Sequence, residues 1–407
     1  MTALPLGVEP DVIGETPQTM LATTIRKDRE GEPATALRIE EVPVPELGPA
    51  EVLVLVMAAG VNFNGVWAAR GRPVSVFHKT REPFHIPGSD ASGIVWKVGD
   101  AVTRWRPGQH VVLHCNQSCG ECAECNGLDP MACDQQRIWG YESNWGAFAQ
   151  FTKVQAQQLL PKPEHLTWDE AASYGLTFFT AYRMLVSQAQ IKPGDNVLVW
   201  GAAGGLGIFA LQLCRVMGAN PIAVIGSRAK ESLVRAQGAE MVIDRSPYDF
   251  SAGISASRAF GSEIRRLTGG KDPDVVFEHV GRDTFATSVL VAKRFGKIVI
   301  CGATSGYDLQ FDVRHLWMRQ KQILGSHFAN AYEAERANRL VIERKIHPVV
   351  SRTFDLWQTP QAHQLMSDNA HQGKLVISIQ APARDRALDH AVPLRTNGRG
   401  ADHVHSV

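Results

Sequence analysis

The period of apolar and polar positions changes near residue 178. Upstream, strand-like runs at 36–42, 51–58, 92–98, 109–114 and 147–154 are broken at short spacing by Gly and Pro turns. That pattern predicts a compact β-rich, barrel-like domain. Downstream, helical and strand periods alternate: a helix to Ser187, then strands near Val197, Pro221 and Ala239 separated by helices near Ile208 and Lys230. After a variable stretch at 246–261 come a helix, a strand at 275–278, a helix at 284–294 and strands at 297–302 and 322–327. This alternation predicts a doubly wound parallel sheet. A helix at 332–344, the segment 357–366 and a last strand at 375–379 are expected to return to the first domain. The expected division is therefore 1–178 with 330–407 as the β-rich unit and 179–329 as the parallel unit, an α/β chain overall. Residues 1–20 and 382–407 lack a period and are expected to be loose.

The stretch Val197-Leu-Val-Trp-Gly-Ala-Ala-Gly-Gly-Leu-Gly207 runs an apolar strand into a glycine-rich turn and then an apolar-faced helix. Gly201, Gly204 and Gly207, with Gly205 beside them, give room for a tight turn, for backbone N–H groups near a pyrophosphate and for helix against strand. The pattern points to a dinucleotide-binding Rossmann unit. At the end of the next strand, where a carboxylate would hold the 2′-hydroxyl of NAD, stand Ser227, Arg228 and Lys230. Donors and cations suit a 2′-phosphate, so NADPH is the expected cofactor.

Composition narrows the partners. With 407 residues, 44% hydrophobic and 20% charged, the chain is long enough for two cored domains. Forty-two basic against forty-one acidic residues give a net charge of +1, which provides no global field for nucleic acid or an anionic membrane surface. No apolar run reaches bilayer-spanning length and the N-terminus has no signal-like pattern, so a cytoplasmic location is expected. Five of the seven cysteines fall between Cys115 and Cys133. Cys119, Cys122, Cys125 and Cys133 form C-x2-C-x2-C-x7-C, which can close four thiolates around one tetrahedral zinc. Such a site is structural, since no coordination position remains for substrate; Cys115 is read as a core thiol.

A β-rich N-terminal domain, an inserted dinucleotide domain and a returning C-terminal segment resemble the medium-chain dehydrogenase/reductase superfamily, with its GroES-like catalytic domain and Rossmann domain. In its alcohol dehydrogenases a catalytic zinc is held by a Cys early in the barrel and a His in Gly-His-Glu. The corresponding stretches here look like Gly60-Val-Asn-Phe-Asn-Gly65 and Gly88-Ser-Asp-Ala91, without those ligands. Alcohol oxidation at zinc is thus disfavoured, and a substrate already activated toward hydride, such as a conjugated thioester, is favoured.

Three segments are similar to crotonyl-CoA carboxylase/reductases: Val61-Asn-Phe-Asn-Gly-Val-Trp67, Arg137-Ile-Trp-Gly-Tyr-Glu142 and Gly325-Ser-His-Phe-Ala-Asn330. The resemblance implies NADPH-dependent reduction of a short enoyl-CoA, crotonyl-CoA, with capture of CO2 by the enolate to give ethylmalonyl-CoA. It places Asn64, Tyr141, Glu142 and His327 around the CO2 and Arg314 near the CoA nucleotide. It also implies a homo-oligomer, a dimer or tetramer. Some relatives carry Phe where this chain has Tyr141, which puts carboxylation efficiency in question. The alternative activity is plain NADPH-dependent enoyl-CoA or quinone reduction; Trp67, Trp139, Trp317, Asp90 and Tyr182 are read as packing.

Overall fold

The computed structural model describes residues 3–10, 12–78, 80 and 82–383; from residue 384 the tail expected to be loose lies outside the described residues. The chain opens with β1 (Thr19–Thr24) antiparallel to β2 (Arg38–Pro43). There follow β3 (Glu51–Gly60), β4 (Ala91–Val98), β5 (His110–Leu113), the short β6 (Asn116–Gln117) and β7 (Arg137–Ile138), then β8 (Phe151–Gln155) and β9 (Leu159–Pro161). β3 is buried at every position after Glu51, because it is paired with β4 and β8 and, toward its end, with the C-terminal segment.

The leader is docked where it was expected to be loose. Gly7 N donates to Ile379 O at 2.9 Å, and the Gln380 side chain donates to Pro5 O at 3.1 Å and Val8 O at 2.9 Å. Leu4 and Leu6 pack against two separate core clusters. Two leucines two residues apart are too short a signal to register as a period, yet they bury enough apolar surface to hold the strand entry.

The parallel unit comprises β10 (Asn196–Val199), β11 (Asn220–Ile225), β12 (Met241–Asp244), β13 (Val275–Glu278), β14 (Lys297–Ile300) and β15 (Gln322–Gly325). Their spatial order is β12-β11-β10-β13-β14-β15, all parallel. That is the doubly wound Rossmann order, whose ligand crevice lies at the C-terminal ends of the strands where the order reverses, between β10 and β13. Val197, Leu198, Val199 and Trp200 are all fully buried, because helices cover both faces of the sheet. The chain then returns through the helix Ala331–Ile342, β16 (Val350–Asp355), the helix Thr359–Ser367 and β17 (Lys374–Ser378). The β-rich sheet has the order β16-β17-β3-β4-β5-β9, with β8 also on β3. Among the described residues no helix is long and apolar enough to cross a membrane.

Candidate active site

A cleft of about 450 Å³ opens between the two sheets. Its floor on one side is the glycine turn. Gly201 has φ +56°, and a Cβ there would lie 2.8 Å from the His279 ring, so the turn needs glycine for both conformation and space. Gly204 is the N-cap of the helix Gly205–Val216, and Gly201, Gly204 and Gly205 all line the cleft. Gly207 is buried below; a Cβ would stand 2.5 Å from Ala202 Cα, so its glycine serves helix against strand. An open helix N-terminus with no side-chain cap suits a pyrophosphate.

The basic cluster expected for a 2′-phosphate is only partly in place. Lys230 lines the cleft, but Ser227 is exposed and accepts from Ala229 N, and Arg228 is 80% exposed and paired with Glu231 at 3.3 Å. Both face outward because the residues after β11 turn at once into a short helix that they cap and pair. The cation that joins Lys230 is Arg245, directly after β12; burial, with the Arg245 charge adding, lowers the Lys230 ammonium pKa. Arg245 is legible in retrospect, because it directly follows the strand next to β11 on the side where the sheet presents ligands. His371, reaching over from the β-rich unit, lines the same cleft, and burial holds its pKa down to about 4.

The opposite wall is fixed by a buried charge. Lys374 Nζ donates to Asn62 Oδ1 at 2.5 Å, Val61 O at 3.2 Å and Asp90 Oδ2 at 3.2 Å, and both charged residues are essentially inaccessible. The same side chain underlies Gly205, whose Cβ would meet Lys374 Cδ at 2.9 Å. Gly373 N also donates to Ala203 O at 3.0 Å, so the returning segment is joined directly to the glycine turn. Asp90, read from sequence as packing, is thus the counter-ion of the wall. Trp67 likewise lines the cleft and does not simply pack, whereas Trp317 is 57% exposed.

Asn64 lies in the first turn of the helix Phe63–Arg70, a helix that its short apolar spacing does not announce. It is buried in the cleft wall and donates through Nδ2 to Ser89 Oγ at 2.8 Å, leaving one N–H and the amide oxygen for a ligand. Tyr141, Glu142 and His327 are outside the lining but adjoin it. Tyr141 packs with Phe328 against Cys115, Ile138 and Leu176, and both Phe328 and Leu176 line the cleft. Burial, with Tyr307 and Glu142 adding, pushes the Tyr141 hydroxyl up to about 12, so it remains a donor. Glu142 accepts from Ile138 N at 3.0 Å. His327 lies two residues beyond the end of β15, its ring 4.5 Å from that of Phe328, which has φ +42°. The protein around it lowers the His327 pKa, with Glu142 opposing, so the carboxylate and imidazole are electrostatic neighbours. Arg314 is not in the cleft lining; it is 69% exposed and paired with Asp312 at 2.6 Å.

The four cysteines converge. Among the described residues, Cys119, Cys122, Cys125 and Cys133 are the one grouping whose donor atoms could hold a metal, all within 4.8 Å of one another. Cys119 Sγ is 3.9 Å from Cys125 Sγ and 3.6 Å from Cys133 Sγ. Zinc–sulfur bonds of about 2.3 Å at tetrahedral angles put sulfurs about 3.8 Å apart, so the quartet fits zinc. The N–H groups of Glu121 and Cys122 favour the Cys119 thiolate and draw its pKa down to about 7. Cys115 is buried, and burial pushes its thiol well up.

Comparison with known proteins adds an independent line. The zinc-binding dehydrogenase family matches residues 205–343, and the alcohol dehydrogenase GroES-like domain matches residues 48–164. A crotonyl-CoA carboxylase/reductase of Cereibacter sphaeroides is 50% identical over 386 residues, 91% of this chain and 90% of its own length. A solved crotonyl-CoA carboxylase/reductase in complex with NADP superposes with a TM-score of 0.88 at 42% identity, covering 93% of this chain and 99% of that one. A 2-octenoyl-CoA carboxylase reductase in complex with NADP and 2-octenoyl-CoA gives 0.87 at 40% identity, covering 91% and 90%.

Proposed function

This chain belongs to the crotonyl-CoA carboxylase/reductase family, and from that membership we propose that it reduces a short enoyl-CoA with NADPH and carboxylates the product at Cα. Bound NADPH supplies the hydride that adds at Cβ of crotonyl-CoA, leaving an enolate whose Cα forms the new bond to CO2 and gives ethylmalonyl-CoA. The residues do the rest. The glycine turn at 201–207 and the Lys230 and Arg245 cations hold the cofactor's phosphates, and Lys374, locked on Asp90, keeps the Asn62–Asn64 turn against that cradle.

CO2 is linear and uncharged, so only short donors aimed at its oxygens can hold it. Asn64 supplies an amide N–H, neutral His327 an imidazole N–H, Glu142 a carboxylate that orients that imidazole or a water, and Tyr141 the wall. The observation that carries the reading is Asn64, buried in the cleft wall with one N–H committed to Ser89 and one left for a ligand. Exposed Arg314, already paired, is a CoA contact only if the nucleotide displaces Asp312. The cysteine quartet holds a structural zinc that pins its loop and leaves the chemistry to other groups.

A second reading, reduction without carboxylation, is favoured by one residue. The Tyr141 hydroxyl stays protonated and its ring packs on Phe328 and Leu176 of the cleft lining; in this reading it donates a proton to the enolate, in competition with CO2 for the same carbanion. Mass analysis of the acyl product from crotonyl-CoA, NADPH and 13C-bicarbonate with carbonic anhydrase separates the two. Labelled ethylmalonyl-CoA supports carboxylation; butyryl-CoA alone supports the plain reductase.

We also propose a homo-oligomer. β15 is an edge strand whose outer side is unpaired among the described residues, with Ile323 37%, Trp317 57% and Met318 61% exposed.

A further inference from the structure

Between β6 and β7 the chain leaves the β-rich unit as a lobe, residues 118–136, and returns in β7, whose Ile138 N is bonded to Glu142. The lobe has little core of its own. Its one helical turn is Pro130–Ala132, three of the four cysteines are only partly buried, and Leu128 is 73% exposed. A segment that buries so little apolar surface depends on cross-links for its shape. The turn ends at Cys133, a quartet member, and begins at Asp129, which caps it by accepting from Met131 N at 3.1 Å.

Asp129 also reaches out of the lobe. Its Oδ2 accepts from Arg183 Nη2 at 2.5 Å and its Oδ1 from Asn330 Nδ2 at 3.1 Å. Arg183, only 8% exposed, donates its other terminal nitrogen to Glu333 Oε2 at 2.8 Å. Glu333 and Asn330 form a reciprocal capping box at 2.9 Å in both directions, at the start of the helix Ala331–Ile342. The residues just before that cap are His327, Phe328 and Ala329, and Ala329 O accepts from His114 Nε2 at 2.8 Å. The turn that carries His327 is therefore held from below by His114 and from the side by the lobe.

We propose that the cysteine lobe positions the electrophile-binding side of the site, acting through Asp129 on the 327–330 turn. This rests on the function proposed above. The lobe's C-terminal end leads into Tyr141 and Glu142, and its Asp129 is bonded to Asn330 of the turn bearing His327, so a single cross-linked element sets the separation of both halves. Asp129 is a positioning residue: it touches neither cofactor nor substrate. Hydride delivery is built on the glycine turn and Lys374, whereas Asp129 bonds Arg183 and Asn330, so loosening the lobe changes where the enolate goes more than how fast it forms.

The test uses the full-length protein as purified, the same protein stripped of zinc by a chelator, and Asp129→Ala, whose side chain is 41% exposed and so tolerates removal. Arg183 is left intact, since its loss would strand Glu333 buried without a cation. Hydrogen exchange of residues 326–333 is read beside that of 118–136, together with the apparent KM for CO2 and the ratio of ethylmalonyl-CoA to butyryl-CoA. The proposal expects exchange at 326–333 to quicken about tenfold both on stripping and in Asp129→Ala. It also expects a several-fold higher KM for CO2 and an NADPH oxidation rate within about twofold. Loosening confined to 118–136, or a protein purified without metal, overturns it. If the unaltered protein makes no labelled acid, the proposed function fails, while the exchange comparison still decides whether the lobe holds the turn.

Discussion

Asn64 Nδ2 and Ser89 Oγ stand 2.8 Å apart, a bond that ties the first turn of the helix Phe63–Arg70 to the segment entering β4. The hydroxyl fixes the amide's rotation, so its second N–H has one direction. Ser89→Ala removes that constraint without emptying the site. One net hydrogen bond is worth about 0.5–1.5 kcal/mol, so the ratio of carboxylated to simply reduced product is expected to fall roughly two- to tenfold. Product analysis at fixed CO2 checks this; an unchanged ratio would mean that Ser89 does not orient the amide.

Lys374 and Asp90 form a fully buried ion pair that also bonds Asn62 and Val61. Burial opposes both charges, raising the Asp90 pKa and lowering that of Lys374, and their attraction offsets the cost only while both are present. Lys374→Met is expected to lose about 3–5 kcal/mol of stability. Adding Asp90→Asn should recover a substantial part, because it removes the stranded charge. Denaturant titration of the three proteins measures the coupling, and additive losses would refute it.

For the cofactor, Arg245 and Lys230 are expected to matter and Arg228 not. Charge-assisted bonds contribute about 1.5–3 kcal/mol each, so Arg245→Ala or Lys230→Ala should raise the KM for NADPH roughly tenfold to a hundredfold. The KM for NADH should scarcely move. Arg228→Ala, 80% exposed and paired with Glu231, should behave like the unaltered protein. Steady-state kinetics with both nucleotides checks all three.

Four histidines make the fold acid-sensitive. Burial holds His85, His114, His363 and His371 near 4, from an ordinary value of 6.5. Below about pH 6.5 the unfolded chain takes up protons that the folded chain refuses, so stability is full above that pH and falls as pH descends toward 4. Each histidine contributes at most about 1.4 kcal/mol per pH unit in that window. The thermal midpoint should therefore be level from pH 8 to 7 and drop steeply between about pH 6 and 5. A level midpoint down to pH 5 would show that these rings are not buried neutral.

The parallel unit was legible because its strands are buried on both faces and its turn has a fixed chemistry. β10 and the glycines that follow it stand where the pattern put them. Local pattern failed where tertiary contact decides: β16 and β9 carry mixed burial, and the helix Phe63–Arg70 is short and apolar on most sides. The site divides the same way. Asn64 and Lys230 are in the cleft, and the cysteine quartet closes as its spacing allows. Period alone marks neither Lys374 nor Arg245, since one opens an apolar strand and the other follows one; the sheet order places Arg245 beside Lys230, and only the packing of the two units brings Lys374 to the glycine turn. Ser227, Arg228 and Arg314 sit in the right stretches but are turned to solvent by short helical turns and nearby acids.

Carboxylation depends on neutral donors holding CO2 beside the enolate, and Asn64→Leu tests that most directly. With crotonyl-CoA, NADPH and 13C-bicarbonate at several CO2 levels, the unaltered protein should give labelled ethylmalonyl-CoA as the main product. The variant should oxidise NADPH at a comparable rate while its butyryl-CoA fraction rises, about tenfold for each 1.4 kcal/mol of lost CO2 stabilisation. An equal product ratio in the two proteins at every CO2 level would contradict the account.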